Sequence, residues 1–249
     1  MRLARLFVVA VLLASGLALL AVAVVLSCAQ AYAQSNPYGQ DNGDGAYGGG
    51  YGRNAPPMQY TDHAQPATNG RTVALYVARD FPDRQRDAIV RAMRQWNYVL
   101  NGFVRFRASL LPQDVSSDDI ARLRRTAWAV LLVDSHHPVA QKGEGRQALA
   151  VTVGNSYGGV VYLIGDRVGG RNLTGVVMHE FGHVLGAGHD HAGLMAPVYS
   201  AAASRCIDHD AVAMVATAQH LPLSQLNWCE PAGYDPRYQP RSASNDNYR

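Results

Sequence analysis

Cysteine is scarce in this chain, with three in 249 residues. That count excludes a disulfide-dense scaffold, in which cross-links stand in for a core. A surplus of one charge is missing too: 22 Lys and Arg face 19 Asp and Glu, for a formal net charge of +3. The basic residues are scattered, and their one short cluster, "ARLRR" at 121–125, reads as a solvated helix face, so no nucleic-acid partner is expected. Aliphatic residues are few between positions 34 and 70, where Gly, Asn, Pro and Tyr dominate. Such a segment buries too little apolar area to offset its ordering entropy and is expected to be a flexible linker. Residues 231–249 are expected to form a disordered tail.

One long apolar run is present. Arg2 and Arg5 precede a nearly unbroken stretch from Leu6 to Leu26, followed by the small-residue triplet Ala31-Tyr32-Ala33. This order reads as a secretory signal over 1–33, cleaved after Ala33. A run of this length could also span a bilayer uncleaved, as a membrane anchor, but the Ala-x-Ala site favours cleavage. A lipid-modified Cys28 is a weaker reading, because "VLSC" is a partial match. In each case the remainder is exported, to a periplasmic or extracellular setting. Cleavage leaves Cys206 and Cys229, a disulfide candidate in an oxidising compartment, closing a loop of about 23 residues.

The rest suffices for one domain over residues 71–230, expected to act as a monomer. "TVALYVA" at 72–78 is a strand candidate, and the helix opened by Pro82 places Ile89, Met93, Trp96 and Leu100 on one face. "FVRFRAS" (103–109) alternates as a strand, "SSDDIARLRR" suggests a short polar helix, and "AWAVLLVD" (127–134) is apolar enough for a central strand. "ALAVTV" (148–153) and "GGVVYLIG" (158–165) follow with a Gly-Asn turn between them. A terminal helix is expected over 208–221, with Asp208 as its cap. The order implies an α+β fold with a mixed sheet.

Residues 176–199, "VVMHEFGHVLGAGHDHAGLMAPVY", carry four of the nine histidines. His179 and His183 are four residues apart, so on a helix both imidazoles leave one face and can meet one ion. Val177, Phe181 and Val184 fall on another face, free to pack on the sheet. Gly186 stands where a helix often ends in a left-handed turn, which would swing His189 back as a third ligand. Three protein ligands leave one position open, the arrangement of a catalytic zinc; a closed structural site would be expected to use cysteines, and none is near. Glu180, beside the first histidine, is placed to act as general base on a water at the metal. The implied chemistry is amide hydrolysis.

"HEFGHVLGAGH" fits H-E-x-x-H-x-x-G-x-x-H, and "GLMAPVY" resembles a Met-turn, so the stretch resembles the metzincin zinc peptidases, most closely their matrixin branch. The resemblance implies a zincin-like twisted mixed sheet with an antiparallel edge strand, an active-site helix and a C-terminal helix. It implies one catalytic Zn2+ on His179, His183 and His189, Met195 beneath the metal, and Pro197 and Tyr199 walling a substrate pocket. The implied activity is that of a zinc endopeptidase acting on peptide or protein substrates. Residues 159–164 are assigned the edge-strand role that pairs with substrate. A structural Ca2+ is left unassigned. Departures are a six-residue step from His189 to Met195, shorter than the matrixin loop, and the absence of a Pro-Arg-Cys-Gly latency segment. His191 could compete for zinc but breaks the spacing, and Asp190 could buttress a ligand imidazole. His136 and His137 are expected in a loop, away from any metal. The alternative function is a cell-envelope peptide-binding or adhesion protein on the same scaffold, against which the intact Glu180 argues.

Overall fold

The computed structural model describes residues 58–62, 65–141, 147–168, 173–199 and 205–231. The expected signal, the linker as far as residue 57 and the tail from 232 lie outside the described residues. In chain order the elements are β1 (Met58–Tyr60), β2 (Arg71–Val77), α1 (Asp83–Val99), β3 (Val104–Leu110), α2 (Ser117–Leu123) and β4 (Trp128–Val133). There follow the single turn α3 (Pro138–Gln141), β5 (Ala150–Asn155), β6 (Gly158–Ile164), the turn α4 (Gly165–Val168), α5 (Leu173–Val184), α6 (His209–Gln219) and β7 (Cys229–Pro231).

Five strands form one mixed sheet in the order β3-β2-β4-β6-β5. The first four run parallel, which requires crossovers such as β2-α1-β3, and β5 alone is antiparallel, joined to β6 by a tight hairpin. The hairpin turn is fixed by Asn155, whose side-chain oxygen accepts the Tyr157 amide at 2.9 Å. Strand β4 lies at the centre, as its apolar run predicts.

Residues 159–164 do not form the edge strand expected from the sequence. Residues 159–164 belong to β6, which is hydrogen-bonded on both sides, to β4 and to β5. The antiparallel rim is β5. The physical reason lies in composition: "GGVVYLI" is buried along nearly its whole length, as an interior strand must be, whereas β5 becomes exposed towards its end.

Helix α1 starts after Pro82, whose fixed φ suits a helix entry, and carries Asp83 in its first turn. Its apolar stripe packs as the spacing predicts: Ile89, Met93, Trp96 and Leu100 are all buried. Each such side chain contributes about 1.5–3 kcal/mol by leaving water. The Trp96 indole N–H donates to the Met178 carbonyl at 2.9 Å, which ties α1 to α5 without leaving a polar atom unpaired in the core. Phe181 of α5 meets Phe106 of β3 with ring centroids 5.0 Å apart.

Part of the segment expected as a flexible linker is ordered. Met58–Tyr60 is a strand, paired antiparallel with β7. Thr61 extends the ribbon: its amide donates to the Trp228 carbonyl at 2.8 Å, and its hydroxyl accepts the Trp228 amide at 3.0 Å. The Tyr98 hydroxyl donates to the Thr61 carbonyl, and the Tyr60 and Tyr98 rings meet edge to face. A composition averaged over 34–70 hides this short "MQYT" stretch, whose partners lie at the far end of the chain. Pro231, expected as the first tail residue, closes β7.

Cys206 and Cys229 are joined by a disulfide with their Cα atoms 5.9 Å apart. The bond anchors β7 beside the start of α6. Among the described residues no helix is long and apolar enough to cross a membrane.

Candidate metal centre

Helix α5 serves core and site with different faces. Val177 and Phe181 are fully buried and Val184 nearly so, while His179 and His183 emerge half-buried on the other side. The helix ends in a double hydrogen-bonded turn: the Gly186 amide donates to the His183 carbonyl at 2.9 Å, and the Ala187 amide to the Gly182 carbonyl at 2.9 Å. This is a Schellman closure, which needs a left-handed residue between its two bonds. Gly186 supplies it, with φ +91°.

That turn has two products. It reverses the chain so that His189 returns to the helix, and it presents the Ala187 carbonyl to His183 Nδ1 at 2.8 Å. His179 is held in the same way, its Nδ1 lying 2.7 Å from the Leu194 carbonyl. A carbonyl only accepts, so both Nδ1 atoms carry the proton and both Nε2 atoms present lone pairs.

The Nε2 atoms converge. His183 Nε2 lies 3.1 Å from His179 Nε2 and 3.2 Å from His189 Nε2, and one nitrogen of each ring falls within 4.8 Å of the others. With Nδ1 of both helix histidines protonated, the His179 and His183 Nε2 atoms cannot hydrogen-bond to one another. That pair of lone pairs is repulsive by itself and is satisfied by a cation. Tetrahedral bonds of about 2.0–2.1 Å place neighbouring ligand nitrogens roughly 3.3 Å apart, close to the spacing found. Three imidazoles, with no thiolate, fit Zn2+ with one position left for water or substrate.

Burial reinforces the donor character. It lowers the His179 pKa to about 4, helped by the neighbouring imidazoles and opposed by the Leu194 carbonyl. Burial likewise lowers His183, with the Ala187 carbonyl opposing. Glu180 shifts the other way: burial raises its carboxyl to about 7, against the hydrogen bond from Thr152.

Met195 is almost fully buried in the turn after the histidines. A Cβ on Gly182 would come within 2.5 Å of its sulfur, so the bare backbone of α5 is what seats the methionine. The loop is closed by the Asp190 amide donating to the Met195 carbonyl at 2.9 Å. Asp208 then grips it from below. One carboxylate oxygen caps α6 through the Ala211 amide at 2.9 Å, and the other accepts the Leu194 amide at 2.6 Å. The residue whose carbonyl orients His179 is therefore itself fixed by the cap of the C-terminal helix.

His191 stays apart, with a fully exposed side chain. Asp190 accepts the His191 amide at 2.7 Å, so among the described contacts it braces its own loop rather than a ligand imidazole. His136 is exposed, and His137 lies against Tyr162; neither belongs to the cluster. Pro197 is exposed and Tyr199 packs partly against the core. Sequence reasoning missed Thr152, whose hydroxyl donates to Glu180 Oε2 at 2.5 Å, and saw Asp208 only as a cap. A polar residue on the inward face of β5 was the available signal for Thr152.

A mixed sheet over a helix that carries H-E-x-x-H, with a third histidine brought back by a glycine turn, defines a zincin-like fold with a candidate zinc site. The chain belongs to the matrixin family: residues 78–217 match the Peptidase_M10 (Matrixin) model. Among solved structures it is similar to high choriolytic enzyme 1, a hatching enzyme zinc-protease from Oryzias latipes (Medaka fish), at 19% identity and a TM-score of 0.30. That match covers 51% of this chain and 50% of the other, so the chain spans about half the length of that relative. No curated protein matches.

Proposed function

We propose that the protein is an exported zinc-dependent endopeptidase in which His179, His183 and His189 hold the metal and Glu180 is the general base. The reading is carried by the three converging ring nitrogens, two of them with their opposite nitrogens committed to backbone carbonyls. A zinc ion bound there supplies a Lewis acid for the scissile carbonyl and acidifies the attacking water. Glu180 takes the proton from that water as its oxygen bonds to the carbonyl carbon, then delivers a proton to the amide nitrogen as the C–N bond breaks. The second proton of the water passes to the freed amine, and the products are a carboxylate and an ammonium. Met195 underlies the site, and Pro197 and Tyr199 contribute to the wall of the pocket beside it. Residues 1–33 direct export, and the substrate is an extended peptide bound by a single copy of the chain.

A peptide-binding role without hydrolysis would leave Glu180 as a buried carboxyl with no task. The test is Glu180→Ala: it should retain one zinc per chain and lose hydrolysis of a peptide library and of unfolded protein. Full activity in that variant sinks the mechanism, and zinc binding without cleavage by the wild type favours the binding role.

A further inference from the structure

Glu180 is 5% exposed, and Thr152 is the one hydrogen-bond partner of its carboxylate among the described residues. The other carboxylate oxygen is not a buried orphan, so it is open to a molecule in the site. Thr152 reaches it from β5, the antiparallel rim of the sheet. Strand alternation puts Ala150 and Thr152 on one face and Val153 on the other, and the burial follows: Ala150 is in the core cluster, while Val153 is 48% exposed. The Thr152 hydroxyl also lies 3.5 Å from the Glu180 main-chain carbonyl. With one proton to give, it serves the closer carboxylate oxygen.

We infer that Thr152 is a positioning residue for Glu180: by holding Oε2 from the sheet, it leaves Oε1 as the oxygen that receives the proton of the attacking water. This rests on the proposed function above. It gives the rim strand a task in the chemistry. A base fixed at one oxygen has its carboxyl plane set by the sheet rather than by its own three side-chain torsions, and the proton-accepting oxygen stays in one place through the reaction. Catalytic proton transfer depends on such placement at hydrogen-bond distance.

The experiment compares Thr152→Val, Thr152→Ser and Glu180→Ala in the zinc-loaded protein. Valine keeps the shape and the strand preference of threonine without the hydroxyl. Thr152→Val should lower kcat by about 10- to 100-fold, within the range of general-base effects, with KM changed less than about threefold and one zinc retained. Thr152→Ser should recover most of the rate. Crystal structures of the metal-free wild type and Thr152→Val supply a readout independent of turnover: the Glu180 carboxyl should change rotamer or spread over several in the variant. Wild-type kcat in Thr152→Val alongside an inactive Glu180→Ala overturns this inference alone, as does an unmoved Glu180 carboxyl. An active Glu180→Ala instead overturns the base assignment on which the inference rests.

Discussion

The histidine helix with its turn and the β1–β7 ribbon are built on opposite principles. In the first, the defining bonds join residues close in sequence: His183 reaches the Ala187 carbonyl four positions on, and His179 the Leu194 carbonyl fifteen positions on. In the second, Thr61 pairs with Trp228 across 167 positions. A local arrangement can be specified by spacing, whereas a remote one depends on the whole chain having folded first. The metal site should therefore tolerate loss of the ribbon, and the fold should tolerate loss of the metal.

The comparison can be broken from either side. Replacing His183 with alanine removes one of three ligands, so zinc stoichiometry and hydrolysis should fall to background while the metal-free protein keeps its circular dichroism. Coupled loss of fold would show that the site is part of the core. The converse variant, Cys206→Ser with Cys229→Ser, should lower unfolding free energy in denaturant by about 3 kcal/mol for a loop of this size. Zinc stoichiometry should be unchanged.

Asp208 belongs to both regions, since it caps α6 next to the disulfide and holds the Leu194 amide. Asp208→Ala should show both losses in smaller measure: about 1 kcal/mol of stability from the cap, and a zinc affinity lowered about tenfold through the loosened His179 support. A stability loss with unchanged affinity would detach the cap from the site. Thr61→Val should cost about 1 kcal/mol in the same denaturant assay and leave kcat alone.

The smallest effect is a control outside both regions. Asp119 on α2 is held down to about 2 by hydrogen bonds from the Ser116 side chain, Arg122 and the Ser116 amide. Its folded value lies below its ordinary one, so its contribution to stability is present above about pH 4 and is lost as pH falls through 2. Ser116→Ala should flatten that part of an acid titration, and the metal centre should not register it.

The sequence showed the two regions unequally. His179, Glu180, His183, Gly186 and His189 were readable because their geometry is helical arithmetic followed by one glycine turn. The buried stripe of α1 was readable for the same reason. Residues 58–61 were not, because their partners are residues 228–231 and no local period reports that pairing. The rim strand was misassigned because both members of a hairpin are apolar, and choosing which lies outermost requires knowing that β6 pairs with β4. Thr152 escaped notice because a single hydroxyl acquires meaning only from what faces it.

Gly182 ties the sequence of α5 to that of the turn after it. In H-E-x-x-H the two unlettered places look free, yet here one holds Phe181, sealed in the core, and the other a residue whose missing side chain is the seat of Met195. Positions 182 and 195 are two halves of one socket, thirteen residues apart in the chain. A larger residue at the first displaces the sulfur end of the second, so substitutions at the two should be coupled even where every metal ligand stands still.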